Sequence, residues 1–262
     1  MEKRLFIPFE DYKIPAHLVL PDDGRDKHPA LLMCHGYMAY KEGDGFLFAK
    51  LAEHFREIGV ATMRIDFCSM GENRHSRRFY GLEQLLKETK AAYEYLCQLP
   101  EIEDDRVGLI GHSLGGRVVT LSHVLDPAVI ITLNGAVGQQ GKILQDDQRQ
   151  LMEKQGYIIV HTSDGRDELL FPKFMEDAGK YVIDIEDINR YQKPFLVTVG
   201  ASDPTVDPRT SYEFYEKLNN PYKDLLVIEQ ANHTFNAKTG DYTKVHELGE
   251  KISQWLKKVW SL

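Results

Sequence analysis

The chain has 262 residues and a formal net charge of −8, because 40 Asp and Glu outnumber 32 Lys and Arg. Hydrophobic residues make up 42% and charged residues 27% of the chain, which excludes a disordered, collagen-like or coiled-coil protein. This composition predicts a soluble globular protein with one large core. The acidic balance argues against nucleic-acid binding, since phosphate contacts require clustered Lys and Arg.

The N-terminal residues and the cysteines indicate the cellular compartment. Residues 1–10 carry charges that no long apolar run follows, so they predict a strand and not a signal peptide. No apolar stretch reaches the roughly 20 residues that span a bilayer. The three cysteines, Cys34, Cys68 and Cys97, cannot all pair, and we expect no disulfide framework. The sequence therefore predicts a cytoplasmic protein without a membrane span.

Short apolar runs alternate with longer helical patterns along the chain. The predicted strands are residues 5–9 and 16–20, which form a hairpin, then 30–34, 60–65, 107–110, 129–133, 195–199 and 225–228. The predicted helices are residues 46–58, 81–99, 117–125, 211–218 and 245–260. Unbroken apolar strands are typical of a sheet that is covered on both faces. The alternation predicts an α/β fold with a doubly wound, mostly parallel sheet.

One interval after the sixth strand breaks this alternation. About 60 residues separate the strand that ends near Asn134 from the one that starts near Phe195, whereas a parallel crossover needs only about a dozen. The interval contains a helical pattern at 141–155, a strand-like run at 157–160, a turn at Asp164-Gly165 and a further helix from Phe171. We predict a cap or lid at 135–190 on a core of 1–134 and 191–262. The alternative is an extra structural helix pair without a functional role.

The strongest chemical signal is Gly111-His112-Ser113-Leu114-Gly115, a Gly-x-Ser-x-Gly motif between an apolar strand and a helix. A serine at such a sharp strand-to-helix turn has a strained backbone, and small neighbours let the chain pass closely. The turn aims the helix N-terminus and the Leu114 amide at the site, where they would stabilise an oxyanion. The motif predicts Ser113 as a nucleophile.

A nucleophilic serine needs a histidine base and an acid that orients it. Of the ten histidines, His233 directly follows the last predicted strand and would lie at the same sheet edge as Ser113. A substrate contact by His161, in the insertion, stays open. Asp203 lies just past a strand end and is the preferred acid, with Asp207 as its competitor. The chain order Ser, Asp, His is the order expected on this architecture.

With these motifs the chain resembles the α/β-hydrolases over almost its whole length. The segment His35-Gly36-Tyr37 after the third strand is similar to the oxyanion loop of that family. The resemblance implies that the backbone amide of Tyr37 is the second oxyanion donor beside that of Leu114. Within the family, the chain looks most like bacterial cinnamoyl or feruloyl esterases and serine-aminopeptidase-like hydrolases.

The segment Arg64-Ile65-Asp66-Phe67-Cys68-Ser69-Met70-Gly71-Glu72-Asn73 resembles the family's Arg-x-Asp-x-Arg-Gly-x-Gly-x-Ser motif. It departs from the motif at Cys68, where the family has Arg, and at Ser69, where the family has Gly. The departure questions the shape and hydrogen bonds of this loop and leaves the catalytic residues untouched.

These features predict a carboxylesterase that cleaves small to medium acyl or aromatic esters through an acyl-enzyme. The expected partner is a small-molecule ester; a homodimer stays open. No cofactor or metal is expected, because no Cys/His cluster has ligand spacing. The alternatives are an aminopeptidase or amidase, a thioesterase, and a non-catalytic binding protein. Two groups of residues in the insertion bear on substrate choice. The aromatic residues would form either the walls of a substrate pocket or the insertion's own core; they are Tyr157, Phe171, Phe174 and Tyr181. The acidic residues would form either a binding site for a substrate amine or a solvated face; they are Glu168, Glu176, Asp177, Asp184, Glu186 and Asp187.

Overall fold

The computed structural model describes residues 1–138, 144–162 and 164–262. Within these residues, eight strands form one sheet. They are β1 (Glu2–Phe9), β2 (Tyr12–Val19), β3 (His28–Cys34), β4 (Ala61–Ile65), β5 (Ile102–His112), β6 (Ile130–Leu133), β9 (Phe195–Gly200) and β10 (Lys223–Ile228). A separate hairpin consists of β7 (Ile158–His161) and β8 (Asp167–Leu170).

The strand order in the large sheet is β1-β2-β4-β3-β5-β6-β9-β10. The strands β1 and β2 pair antiparallel, as do β2 and β4, and every other neighbouring pair is parallel. After β3 the chain moves to one side to form β4 and then returns across β3 to form β5. The loops that follow β3 and β5 therefore leave the sheet in opposite directions, and ligands bind at such a switch point in α/β proteins.

Helices cover both faces of the sheet. They are α1 (Leu47–Glu57), α2 (Leu82–Cys97), α3 (Leu114–Leu121), α4 (Asp146–Gln155), α5 (Pro172–Lys180), α6 (Ile185–Ile188), α7 (Pro208–Lys217) and α8 (Thr243–Trp260). The apolar faces of α1 and α8 pack in one core, and those of α2, α3 and α7 pack in the other. This arrangement confirms the predicted doubly wound, mostly parallel α/β fold.

The helix after Ser113 differs from its prediction at both ends. It begins at Leu114 and ends at Leu121, and a 3-10 turn continues to Leu125. Gly115 and Gly116 have poor helix propensity, so the sequence pattern predicts the start of the helix three residues too late. The early start is essential for the site, because it places the helix N-terminus directly after Ser113.

Between β6 and β9 lie α4, the β7–β8 hairpin, α5 and α6. The predicted helix at 141–155 is confirmed from Asp146 onward, and its residues 141–143 lie outside the described part of the chain. The strand-like run at 157–160 forms β7, and the helix after Phe171 forms α5 with Pro172 in its first turn. The strand β8 was not predicted, because it opens with two charged residues of low strand propensity, Asp167 and Glu168.

Candidate active site

Ser113 lies on a sharp turn between β5, which ends at His112, and α3, which begins at Leu114. Its φ of 54° and ψ of −116° are unfavourable for a non-glycine residue and cost on the order of 1–3 kcal/mol. The Ser113 amide donates to the Leu133 carbonyl of β6 at 3.0 Å, and its carbonyl accepts from the Ala136 amide at 2.9 Å. Bonds on both sides thus hold the serine in its strained conformation.

Glycine is required at Gly111 and Gly115 because two backbone segments meet there. A Cβ atom on Gly115 would lie 1.9 Å from the Cys34 carbonyl oxygen, and one on Gly111 would lie 2.1 Å from the Gly115 carbonyl oxygen. The first turn of α3 therefore packs directly on the end of β3. This close approach brings the segment after β3 to Ser113.

The segment His35-Gly36-Tyr37 follows β3, and a Cβ on Gly36 would lie 3.3 Å from the Ser113 Cβ. Burial lowers the pKa of His35, which favours the neutral imidazole. Its Nε2 accepts from the Phe67 amide at 3.1 Å, and its Nδ1 donates to the Gly36 carbonyl at 2.9 Å. His35 thus orients the Gly36 peptide beside the serine.

The predicted oxyanion donors are the backbone amides of Tyr37 and Leu114. Neither amide donates a hydrogen bond to any protein group among the residues that the structure describes. The Leu114 amide is one of the free N–H groups at the start of a helix, where the helix dipole also favours negative charge. Both amides are therefore available to an acceptor outside the protein.

The structure brings His233 and Asp203 together. His233 Nδ1 lies 2.7 Å from Asp203 Oδ2, and the Asp203 side chain is only 1% exposed. The other carboxylate oxygen, Oδ1, accepts from the amides of Thr205 at 2.7 Å and Val206 at 3.0 Å. The buried carboxylate is thereby fixed with one oxygen toward the imidazole, which assigns the Nδ1–H tautomer to His233.

The competitors lie elsewhere and have other partners. Asp207 caps the N-terminus of α7, accepts from the Arg209 amide and pairs with the Arg209 guanidinium. His54 and His246 face each other across α1 and α8 at 2.9 Å. His161, in β7, is 79% exposed and contacts Asp167. Only Asp203, of the two candidate acids, reaches His233.

Asn134, at the end of β6, is a site residue that the sequence analysis missed. Its Nδ2 donates to the carbonyls of His233 at 3.0 Å and Asn232 at 3.2 Å, while its Oδ1 accepts from the Gly200 amide at 2.6 Å. Asn134 thereby joins the loop that carries the histidine to the strand that precedes the aspartate. Its left-handed φ of 45° is one that Asn adopts more readily than most residues, but no local pattern in the sequence points to its role.

His112, within the Gly-x-Ser-x-Gly motif, supports the backbone of His233, a role that the sequence does not predict. Its Nε2 donates to the His233 carbonyl at 2.8 Å, and the two rings lie 4.8 Å apart. Burial, followed by the proximity of His233, lowers the pKa of His112 to about 4. His112 is thus a neutral buried donor that supports the backbone of His233.

The loop that departs from the family pattern is held by two buried carboxylates. Asp66 accepts from the Lys41 amide and Nζ, both at 2.8 Å, and from the Glu72 amide at 2.9 Å. The amide of Cys68 donates to Glu88 at 2.8 Å. The loop is therefore well bonded although Cys68 replaces the family's Arg.

The insertion aromatics divide between the main core and a pair of their own. Phe174 and Tyr181 pack in the main core, whereas the rings of Tyr157 and Phe171 lie 6.1 Å apart and pack on each other. Phe174 of α5 is buried; its ring lies 5.1 Å from that of Tyr37 and stacks on Tyr80 at 5.6 Å. Phe171 lies beneath the Arg78 guanidinium. Tyr37, the residue after Gly36, therefore packs against the insertion.

Four of the six insertion acids are engaged by groups of the protein itself. Glu168 contacts Arg77 and Arg166, and the buried Asp177 accepts from the Glu83 amide and pairs with Lys173. Asp184 caps α6, and Asp187 pairs with Arg190. These contacts leave little free carboxylate for a substrate amine.

Among residues 1–138, 144–162 and 164–262, no cluster of three His, Cys, Asp or Glu side chains could hold a metal ion. The helices of the same residues include none that is both long and apolar enough to cross a membrane.

Comparison with known proteins gives matches of several kinds. A family model described as "BAAT / Acyl-CoA thioester hydrolase C terminal" matches residues 89–235. The solved structure of Est1E from Butyrivibrio proteoclasticus with ferulic acid bound superposes with a TM-score of 0.81 at 23% identity, over 98% of this chain and 100% of that one. The two proteins therefore share a fold.

Two curated relatives are more similar over shorter segments. A 2,6-dihydropseudooxynicotine hydrolase from Paenarthrobacter nicotinovorans is 31% identical over 114 residues, which is 44% of this chain and 29% of that protein. Esterase FrsA from Vibrio vulnificus is 30% identical over 117 residues, which is 45% of this chain and 26% of that protein.

Proposed function

Because this chain belongs to the α/β-hydrolase family of the BAAT and acyl-CoA thioester hydrolase C-terminal domain, we propose that it is a serine carboxylesterase. Its substrates are small to medium acyl or aromatic esters, and Ser113, His233 and Asp203 form its catalytic triad. The observation that carries the proposal is the 2.7 Å contact between His233 and the buried Asp203 at the sheet edge where Ser113 stands on its strained turn.

In the proposed mechanism, His233 Nε2 takes the proton of Ser113 as its oxygen attacks the acyl carbonyl. Asp203 keeps the imidazole in the Nδ1–H tautomer and stabilises the imidazolium that forms. His233 then protonates the leaving alcohol, which leaves an acyl group on Ser113. The same histidine activates a water molecule that releases the acid.

The amides of Tyr37 and Leu114 are proposed to bind the oxyanion. Two observations support this role: Gly36 lies against Ser113, and both amides lack a protein acceptor among the described residues. Such preorganised donors act where charge develops in the transition state, and each contributes roughly 10²–10³-fold to the rate.

The ester preference is supported by the names of the relatives, FrsA being an esterase and Est1E having bound ferulic acid. Thioester hydrolysis is the second candidate, since the matching family is described by that activity and the same groups would perform it. An aminopeptidase is less well supported, because four of the six acids that could bind an amine are already engaged.

We further propose that residues 135–190 act as a cap on a hydrolase core of 1–134 and 191–262. The packing of Phe174 on Tyr37 supports this division, because it places the insertion beside the proposed oxyanion loop.

The test is the Ser113→Ala variant, assayed with a panel of short acyl, long acyl, hydroxycinnamoyl and thioester substrates. We expect turnover to fall at least a thousandfold, in line with nucleophile removal in other triad enzymes. A fluorophosphonate should add to the wild type and not to this variant in intact mass spectra. Ser202→Ala, next to Asp203, is the control and should keep both activity and labelling. Turnover like that of the wild type in Ser113→Ala would refute the triad.

A further inference from the structure

Met38, directly after Tyr37, is held on both sides of its backbone. Its amide donates to the Tyr80 hydroxyl at 3.0 Å, and its carbonyl accepts from Arg166 Nη2 at 2.6 Å. The residue is buried and has a φ of 51°, which is unfavourable for a residue with a side chain such as Met. The Ala39 amide donates to the Gly36 carbonyl at 3.2 Å, so residues 36–39 form a tight turn with Met38 in its second central position.

This turn carries the Tyr37 amide, and its second central position normally requires Gly or Asn when φ is positive. A strained residue keeps such a conformation only where its surroundings over-determine it. Here the constraint comes from Tyr80 on one side and from Arg166 on the other. We therefore expect that loss of either bond relaxes the turn and displaces the Tyr37 amide.

Arg166 reaches the turn from the connection between β7 and β8. Its Nε donates to Asp164 at 2.9 Å, and its Nη1 pairs with Glu168, which also binds Arg77. Two carboxylates of its own hairpin thus balance the guanidinium charge, so the side chain is poorly suited to attract a substrate anion. Its remaining Nη2 group is directed at the Met38 carbonyl.

A cavity of about 200 Å³ lies at this junction. Tyr37 and Met38 line it from the core, and Val160, His161 and Arg166 line it from the hairpin. Arg166 therefore connects the insertion, to which it belongs, with the turn that carries the Tyr37 amide.

We propose that Arg166 is a positioning residue, which holds the Met38 turn from the β7–β8 hairpin so that the Tyr37 amide points at the oxyanion. The inference rests on the proposed function, since it assigns a support to that oxyanion hole. It makes transition-state stabilisation in the core depend on a hydrogen bond that the insertion supplies.

The test compares Arg166→Ala, Arg166→Lys and His161→Ala with the wild type on one activated ester. For Arg166→Ala we expect kcat to fall about ten- to a hundredfold, because a small misplacement of a catalytic donor is costly. KM should stay within about twofold, since ground-state binding is preserved. The affinity for a boronic acid, which mimics the tetrahedral state, should fall by the same factor as kcat/KM.

Arg166→Lys keeps one donor within reach of the Met38 carbonyl and should recover part of kcat. His161→Ala removes another side chain of the same hairpin and cavity, one whose hydrogen bond goes to Asp167 and not to Met38, and it should match the wild type. Circular dichroism and thermal unfolding establish that each variant is folded; if Arg166→Ala is not, Arg166→Lys alone should show a reduced kcat at unchanged KM.

Three results would overturn the inference: an unchanged kcat in both Arg166 variants, a rise in KM at constant kcat, or an equal kcat loss in His161→Ala. Each is distinct from failure of the proposed function, which would appear as an active Ser113→Ala variant.

Discussion

Asp203 and Asp207 lie four residues apart in the chain, yet their surroundings give them different chemistry. Asp203 is buried, accepts two backbone amides and contacts His233. Asp207 is at the surface, where it caps α7 and pairs with Arg209. The structure thus separates a proposed catalytic acid from a helix cap within one short loop.

We therefore expect Asp203→Asn to lower kcat by about 10³–10⁴-fold, because an amide in this position stabilises the wrong tautomer of the base. The matched variant Asp207→Asn keeps a capping oxygen and should retain wild-type kcat. Steady-state ester hydrolysis measures both. An Asp203→Asn enzyme with normal kcat, or an inactive Asp207→Asn enzyme, would contradict the assignment of the acid.

The residues of the proposed triad could be selected from the sequence because each has a local signal there. Ser113 lies in a glycine-flanked motif, and Asp203 and His233 each follow a strand. Arg166 and Asn134 were not predictable, because their roles depend on partners 128 and 99 positions away in the chain. Such contacts are properties of the folded chain that no local pattern encodes.

At the scale of elements, the end of β6 organises the ends of β9 and β10. Asn134 donates to the carbonyls of Asn232 and His233 and accepts from the Gly200 amide. The loops that carry the proposed base and acid therefore depend on the residue directly after β6.

Replacement of Asn134 by Gly tests this link without backbone strain, because Gly adopts a positive φ at no steric cost. Three lost hydrogen bonds should lower the free energy of unfolding by about 2–3 kcal/mol, and kcat should also fall. Urea denaturation and ester hydrolysis measure the two effects. Asp126→Gly, at a surface position with a φ of 53°, should change stability by less than about 1 kcal/mol. Equal effects in both variants would show that Asn134 has no special role.

Element types could be predicted where apolar patterns were long, as in β3, β5, α2 and α8. The strand β8 could not, since its stability comes from pairing with β7 and from the contacts of Glu168 with Arg77 and Arg166. The start of α3 was hidden by glycines that are kept for close packing and not for helix propensity.

At the scale of the whole molecule, a buried glutamate joins three parts of the fold. Glu88 of α2 accepts from the Tyr12 hydroxyl in β2, from the Cys68 amide at 2.8 Å and from Asn73 Nδ2 at 3.3 Å. Burial raises the pKa of Glu88 from an ordinary 4.5 to about 7. Between about pH 4.5 and 7 the native state thus holds a proton on this side chain that the unfolded chain has already lost.

This pKa predicts a pH-dependent stability. The contribution from Glu88 protonation is complete below pH 4.5 and is lost as the pH rises through 7, because between these values only the native state binds the proton. The full effect is about 3 kcal/mol. The unfolding free energies of wild type and Glu88→Gln are measured in urea from pH 4.5 to 8. Over this range the wild type should lose about 3 kcal/mol of stability relative to Glu88→Gln.

Glu83→Gln on the same helix is the control. Lys173 and Lys87 hold the pKa of Glu83 down to about 2, so its contribution changes only below pH 4.5 and the difference from the wild type should stay flat above it. A flat Glu88→Gln difference would show that Glu88 is ionised in the native state throughout this range.

The connection between β6 and β9 restricts how this enzyme could be redesigned. The two strands are parallel neighbours, with Ile130 opposite Phe195 and Leu133 opposite Thr198. The chain therefore leaves at the carboxyl end of β6 and must return to the opposite end of the sheet to begin β9. Tyr191, near the return, is buried and donates its hydroxyl to the Pro127 carbonyl. Excision of all of 135–190 would leave Asn134 and residues 191–194 to bridge opposite ends of adjacent strands, too few for a parallel crossover. A chimera in which another segment replaces residues 135–190 must therefore still supply a chain long enough to run from the end of β6 back to the start of β9.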